Sequence, residues 1–318
     1  MSLLKPIGGY FGLEPGTNTF PYNEAILLNT ARNCLEYILK NYKPKRVYIP
    51  KYTCSAVLEP LSRLNIEYSF YKINENLEIT NPIKLAPGEY IIYTNYFGIK
   101  DAYIPQISKD YQNQLILDNS QAFYSQPLKI GHTFYSPRKF FGVPDGGILF
   151  TNKILDEELP TDISFGRMAH LSKRIDIGAE AGYEDFKHND ASLMNQPIKH
   201  MSTLTRHLLN GIDYTKAKQK REANFALLHD WLGSRNKLML DLGSLNGPMA
   251  YPFWADDSSL KQKLINQKVF VATYWPNIFE WCRPDELEYK ITQNLLALPI
   301  DQRYGQEDME RIVRIING

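Results

Sequence analysis

Thr133-Phe-Tyr-Ser-Pro-Arg-Lys-Phe-Phe-Gly-Val-Pro-Asp-Gly-Gly-Ile-Leu-Phe150 is the stretch around which this 318-residue sequence is organised. Apolar, β-prone runs at 132–135 and 147–151 have the length and composition of buried strands. Between them stand Ser136-Pro-Arg138-Lys139 and an Asp145-Gly146-Gly147 turn that sends the chain back into an apolar strand. The loop presents one lysine, Lys139. Taken alone, Lys139 also reads as a surface lysine before a hairpin turn, so its meaning depends on the rest of the chain.

Outward from the loop, short apolar runs alternate with helical patterns. Arg46-Val-Tyr-Ile-Pro50, Tyr68-Ser-Phe-Tyr-Lys72, Tyr90-Ile-Ile-Tyr-Thr94 and Gln114-Leu-Ile-Leu-Asp118 read as strands. A helix is expected from Asn29-Thr30, with Leu35, Ile38 and Leu39 at helical spacing, and another from Ser55. This alternation predicts an α/β fold with a largely parallel sheet covered on both faces. Residues 1–28 read as an irregular aromatic arm. A long helical pattern over 198–232, broken near Gly211, predicts a connector. Beyond it the pattern gives strand 249–254, helix 258–266, strand 269–272, helix 285–294, strand 295–298 and helix 306–316. Two units are expected: residues 1–210 as a large domain, and residues 211–318 as the connecting helix with a small C-terminal α/β domain.

Bulk properties exclude several classes. Lys plus Arg is 36 and Asp plus Glu is 35, so the formal charge of +1 gives no electrostatic case for nucleic acid or an anionic membrane. The basic run Lys216-Ala-Lys-Gln-Lys-Arg221 reads as a solvated helix face. No apolar stretch reaches the ~20 residues of a membrane span, and the first residues lack the apolar core of a signal peptide. Three cysteines without a Cys-x-x-Cys pair suit a cytoplasmic protein. Neither they nor the six histidines have metal-ligand spacing, so no metal is expected.

In open α/β sheets the ligand crevice lies at the carboxyl ends of the strands. Asn95 and Asp118 both fall at such ends, and the Lys139 loop follows another. Asp118 closes an apolar strand, so its carboxylate needs a cationic partner or suffers a desolvation penalty. Capping the following turn is its other reading. Gln121 follows three residues later. Thr30-Ala31-Arg32 opens a helix whose free N–H groups suit a phosphate, and the Ser136 hydroxyl lies three residues before Lys139. The Pro50-Lys-Tyr-Thr53-Cys54 segment, between strand and helix, can cover a flat ring. A lysine amine, a carboxylate for a ring nitrogen, a phosphate cradle and a stacking group are what pyridoxal 5′-phosphate (PLP) requires of a protein.

Taken together, these segments resemble the fold-type I PLP aminotransferases, and most of all the DegT/StrS-type sugar aminotransferases. Asn29-Thr-Ala-Arg-Asn-Cys-Leu35 resembles that family's helix start, and Ile49-Pro-Lys-Tyr-Thr-Cys54 its Pro-x-x-Thr segment. Asn95-Tyr-Phe-Gly98 resembles an aromatic-Gly strand end. Asp118-Asn-Ser-Gln-Ala122 is similar to its Asp-Ala-Ala-Gln-Ala, and Lys139 with Asp145-Gly-Gly147 to its Lys…Gly-Glu/Asp-Gly-Gly. Leu298-Pro299 with Glu307-Asp308 resembles its C-terminal segment. The chain departs from the pattern at Phe134, where a phosphate-binding serine is usual, and at Cys54, where an aromatic is usual. The family's Asn-Tyr-Arg-Met-Ser segment has only a loose echo in Asn195…Met201-Ser202, and the chain is shorter than typical members.

The resemblance implies an aminotransferase in which Lys139 bonds PLP covalently and Asp118 faces the ring nitrogen. Thr30, Ala31, Arg32, Thr53, Cys54, Gln121 and Ser136 complete the cofactor site. It implies an amino acid donor, glutamate, and a keto-sugar acceptor, usually nucleotide-linked, for surface glycans or antibiotics. Tyr96, Arg138, Trp275 and Arg303 are the candidate substrate contacts, and a homodimer is implied. Another PLP reaction on the same fold, or a non-catalytic PLP-fold protein serving as a binding or scaffold subunit, stays open. A nucleotide-binding Rossmann enzyme is disfavoured, since no Gly-x-Gly-x-x-Gly follows a strand.

Overall fold

Seven of the apolar runs become strands of one sheet in the computed structural model, which describes residues 9–14 and 16–318. They are β1 (Ile26–Leu28), β2 (Arg46–Pro50), β3 (Glu67–Tyr71), β4 (Glu89–Thr94), β5 (Leu115–Asn119), β6 (His132–Tyr135) and β7 (Gly147–Phe150). Their order is β1-β7-β6-β5-β4-β2-β3. From β6 through β5, β4 and β2 to β3 all pairs are parallel, whereas β7 runs antiparallel to β6 and β1 antiparallel to β7. The mixed edge follows from the turn at Asp145–Gly147, which reverses the chain without a crossover helix. Of the expected N-terminal arm, residues 1–8 and Pro15 lie outside the described residues.

Successive strand residues face opposite sides, and both sides are buried. Ile92, Ile116 and Leu149 join Leu35, Ile38 and Leu39 of α1 (Ala31–Tyr42) and Leu61 of α2 (Leu58–Arg63) in one apolar cluster. Ile91, Tyr93, Leu115, Leu117 and Ile148 join the opposite cluster, to which α3 (Ile104–Tyr111) contributes Ile107. That cluster continues into Phe225 and Leu228 of the long helix Tyr214–Leu232 and on into the C-terminal residues.

After β7 come α4 (Ala169–Asp176), α5 (Tyr183–Ser192), α6 (Thr203–Leu209) and α7 (Tyr214–Leu232). The C-terminal part adds β8 (Tyr251–Trp254), α8 (Leu260–Asn266), α9 (Ile278–Trp281), α10 (Leu287–Asn294), β9 (Leu295–Leu298) and α11 (Gln306–Asn317), with β8 and β9 antiparallel. No described helix is long and apolar enough to cross a membrane.

Three expectations are corrected. The 198–232 pattern is helical only from α6 onward: residues 198–202 are extended, with His200 bridging both Leu28 and Thr161. Residues 269–272 form no strand, because β8 pairs only with β9 and leaves this segment without a ladder partner; Val269 and Val271 are buried by packing alone. The Lys216–Arg221 run is not a wholly solvated face, since Arg221 is only 1% exposed.

Two glycines let the Lys139 loop approach the start of α1. Gly146 has φ +126°, its N–H reaches the Asn29 carbonyl at 2.7 Å, and a Cβ there would stand 2.8 Å from Pro137 Cγ. A Cβ on Gly147 would stand 2.4 Å from the Thr30 carbonyl oxygen and 2.7 Å from Cys34 Sγ. Packing this close brings the first turn of α1 beside the loop.

Candidate active site

Lys139 ends a single 3-10 turn, Pro137–Lys139, directly after β6. The turn is closed by Phe140 N–H and Phe141 N–H, which both donate to the Pro137 carbonyl at 3.0 and 2.9 Å. Lys139 is itself exposed, yet its Nζ donates to Ser120 Oγ at 3.1 Å. Ser136 is buried and its hydroxyl makes no capping bond to the turn. The carbonyl immediately after the lysine, on Phe140, accepts from Gln302 Nε2 at 2.9 Å and Arg221 Nη2 at 3.2 Å. Arg221 also donates to the Pro248 and Met249 carbonyls and lies 4.6 Å over the Phe140 ring. Burial lowers its pKa to about 10, against the opposing pull of Asp301. The lysine loop is thus tied to segments far along the chain.

Asp118 lies on β5, buried, in register with Thr94 of β4 and Phe134 of β6. Its Oδ1 accepts the Ser120 N–H at 2.8 Å. Burial raises its pKa, and nearby Lys139 and Ser120 offset only part of that. A buried carboxylate in this condition gains from a further cation. Gln121 is fully buried. Its Oε1 accepts the N–H of Phe97, a residue in the left-handed region at φ 55°, and its Nε2 has no partner among the described residues. Thr94, in register with Asp118 on the neighbouring strand, is close enough for its hydroxyl to help lower the Asp118 pKa. An orphaned buried donor such as Gln121 Nε2 is rare in folded proteins. Asn95 is adjacent through its N–H to the Asp118 carbonyl at 3.0 Å, but its side chain is taken by Asp101 and Ser125.

The other expected residues have varied surroundings. Thr30 caps α1, accepting Asn33 N–H at 3.0 Å, which leaves the Ala31 and Arg32 N–H groups at the free end of the helix. The Arg32 side chain turns to Glu59 at 3.5 Å and to the Leu193 carbonyl at 3.3 Å. Thr53 is buried, with its carbonyl accepting from Asn277 at 3.0 Å, and Cys54 is half-buried beside the aromatic core. Tyr96 is fully buried; its hydroxyl donates to the Tyr52 carbonyl at 2.8 Å. Trp275 packs edge-on to Tyr52 at 5.1 Å. Arg138 donates to Asp190 at 3.2 and 3.3 Å. Arg303 makes a bidentate pair with its near neighbour Asp301, at 2.7 and 2.9 Å. Tyr96, Arg138 and Arg303 therefore already have intramolecular partners.

Beside Lys139 opens a cavity of about 520 Å3, lined in part by Arg138, His170, Arg174, Phe186, Arg221 and Arg303. Among the described residues its one lining carboxylate is Asp301, so the wall is strongly cationic and suits an anionic ligand. Sequence reasoning missed Ser120, which stood unremarked inside a quoted motif, and Arg221 and Gln302, whose spacing carries no signal.

An aminotransferase of the DegT/DnrJ/EryC1/StrS type from Brucella abortus superposes with a TM-score of 0.62 at 14% identity, over 94% of this chain and 86% of that one. This chain has the fold of those aminotransferases. DesV from S. venezuelae, solved with a ketimine intermediate, gives a TM-score of 0.64 at 13% identity over 92% and 83%. DesI, solved with its TDP-sugar product, gives 0.63 at 14% identity over 93% and 80%. No protein-family model and no curated protein matches the sequence. The likeness is therefore one of fold: α/β, with a mostly parallel seven-stranded sheet covered by helices. A similar structure, a sugar aminotransferase from Streptococcus pneumoniae, has been solved in both PLP and PMP forms.

Proposed function

We propose that this protein is a PLP-dependent aminotransferase that moves an amino group from glutamate to a nucleotide-linked keto-sugar. The observation that carries the reading is the convergence of Lys139, the buried Asp118 and the unpartnered Gln121 Nε2 at one end of this sheet. The residues fit the cofactor: Asp118 lacks a full counter-charge, Gln121 lacks an acceptor, and Ser136 with the first turn of α1 offers donors for a phosphate.

When bound, PLP supplies an electrophilic carbon and a ring that accepts electrons. Asp118 holds a proton at the ring nitrogen. Gln121 Nε2 would donate to the ring hydroxyl oxygen. Ser136 Oγ and the Ala31 and Arg32 N–H groups would hold the phosphate, and Thr53 and Cys54 would border the ring. Lys139 Nζ, once free, takes a proton from the donor's α-carbon as general base. The cationic wall receives anionic groups of the substrates, with Arg138 and Arg303 exchanging Asp190 and Asp301 for them, and Tyr96 and Trp275 shape the aromatic side.

The reading includes residues 1–210 as the cofactor-binding domain, 211–318 as the remainder, a homodimer, and a cytoplasmic location. Support for the dimer comes from exposed Ile163, Phe165, Ile175 and Ile177, all between β7 and α5. To test the activity, glutamate is added to the PLP-loaded protein and the visible spectrum is followed. Conversion to the PMP spectrum, reversed by 2-oxoglutarate, is expected. No conversion with any amino acid tried would favour another PLP reaction.

A further inference from the structure

Ser120 is the residue that joins Lys139 and Asp118, through its hydroxyl to the first and its backbone N–H to the second. Its Oγ accepts Lys139 Nζ at 3.1 Å, and its N–H donates to Asp118 Oδ1 at 2.8 Å. Its hydroxyl also helps lower the Asp118 pKa against the upward push of burial. Ser120 is 6% exposed and follows β5 directly, so the end of a central strand fixes it. In the Asp-Ala-Ala-Gln-Ala pattern that this segment resembles, the position is alanine, which has no hydroxyl to offer.

We propose that Ser120 is a further catalytic group, whose hydroxyl accepts a hydrogen bond from the Lys139 ε-amino group whenever that nitrogen is not covalently engaged. It thereby fixes where the amine waits. This rests on the aminotransferase reading above. An ammonium is a donor only, and a hydrogen bond from a charged donor is stronger than one between neutral groups. Lys139 takes a proton from the donor's α-carbon onto Nζ and later releases it from Nζ. Ser120 orients that nitrogen throughout and neither gains nor loses a proton.

Two measurements test it. In PLP-free protein, the rate at which an amine-reactive sulfonate labels Lys139 at one fixed pH is followed by peptide mass spectrometry. Ser120→Ala is expected to raise that rate by about fivefold, as the amine loses the hydroxyl that holds it, and Ser120→Thr to restore it. In PLP-loaded protein, Ser120→Ala is expected to slow exchange of the glutamate α-proton with deuterated solvent by about tenfold, with KM little changed. An unchanged labelling rate overturns the proposal, as does a change that threonine fails to restore or an unchanged exchange rate. If unaltered protein binds no PLP, the aminotransferase reading falls and the catalytic assignment falls with it. If PLP binds normally and Ser120→Ala changes nothing, only this inference falls.

Discussion

At Asp118, burial and proposed function pull in opposite directions. Burial raises its pKa above the ordinary carboxylate value, so the folded chain holds this proton more tightly than the unfolded chain. The resulting stabilisation is fully present below the ordinary carboxylate pKa and is lost as pH rises through the raised folded value. Asp145, whose pKa burial also raises, adds a dependence of the same sign. Asp118→Asn is therefore expected to raise the melting temperature of PLP-free protein at neutral pH and to flatten part of this pH dependence. The same change is expected to weaken PLP binding by about tenfold or more, since it removes a charged hydrogen-bond partner. Calorimetry with and without PLP checks both; a lower melting temperature together with unchanged PLP affinity would contradict the assignment. Asp118 was legible because a carboxylate closing an apolar strand needs an explanation. Ser120 was not, since a serine after a strand fits any turn. Arg221 was hidden for a different reason: a cation within a basic helical run looks solvated, and only the fold shows three carbonyls converging on it.

Where β7 passes α1, the limiting contact is backbone to backbone. Gly147→Ala would place a methyl 2.4 Å from the Thr30 carbonyl oxygen, and one of the two elements has to shift. The expected destabilisation is about 2 kcal/mol, accompanied by weaker PLP binding as the α1 turn moves from the loop. Gly166→Ala, whose added methyl meets nothing within 4 Å, serves as the neutral control in a denaturant titration. Equal midpoints for the two variants would show that the approach is looser than described. Strands β4 to β7 were legible because central strands buried on both faces read as apolar runs, whereas the exposed edge strand β3 was legible from its aromatic, β-prone residues. The extended 198–202 segment was not, because apolar spacing alone does not distinguish a helix from a chain paired by isolated bridges. Asp145 read as a turn residue, yet its buried carboxylate also accepts from Ser202 and Thr205 at the start of α6.

Across the whole molecule, the larger apolar cluster runs from the sheet through α7 into β8, β9 and α11. Arg221 and Gln302 use that continuity to connect the lysine loop with the C-terminal segments. The fold followed from the alternation of strands and helices and matches aminotransferases at 13–15% identity. The central claim, that Lys139 is the cofactor lysine, is more specific than the fold. It is tested most directly by loading purified protein with PLP, reducing it with borohydride and mapping the labelled peptide by mass spectrometry. A visible absorption band that borohydride removes is expected, with the pyridoxyl group on Lys139 and no band in Lys139→Ala. No band in the unaltered protein, or a label on another lysine, would contradict the account.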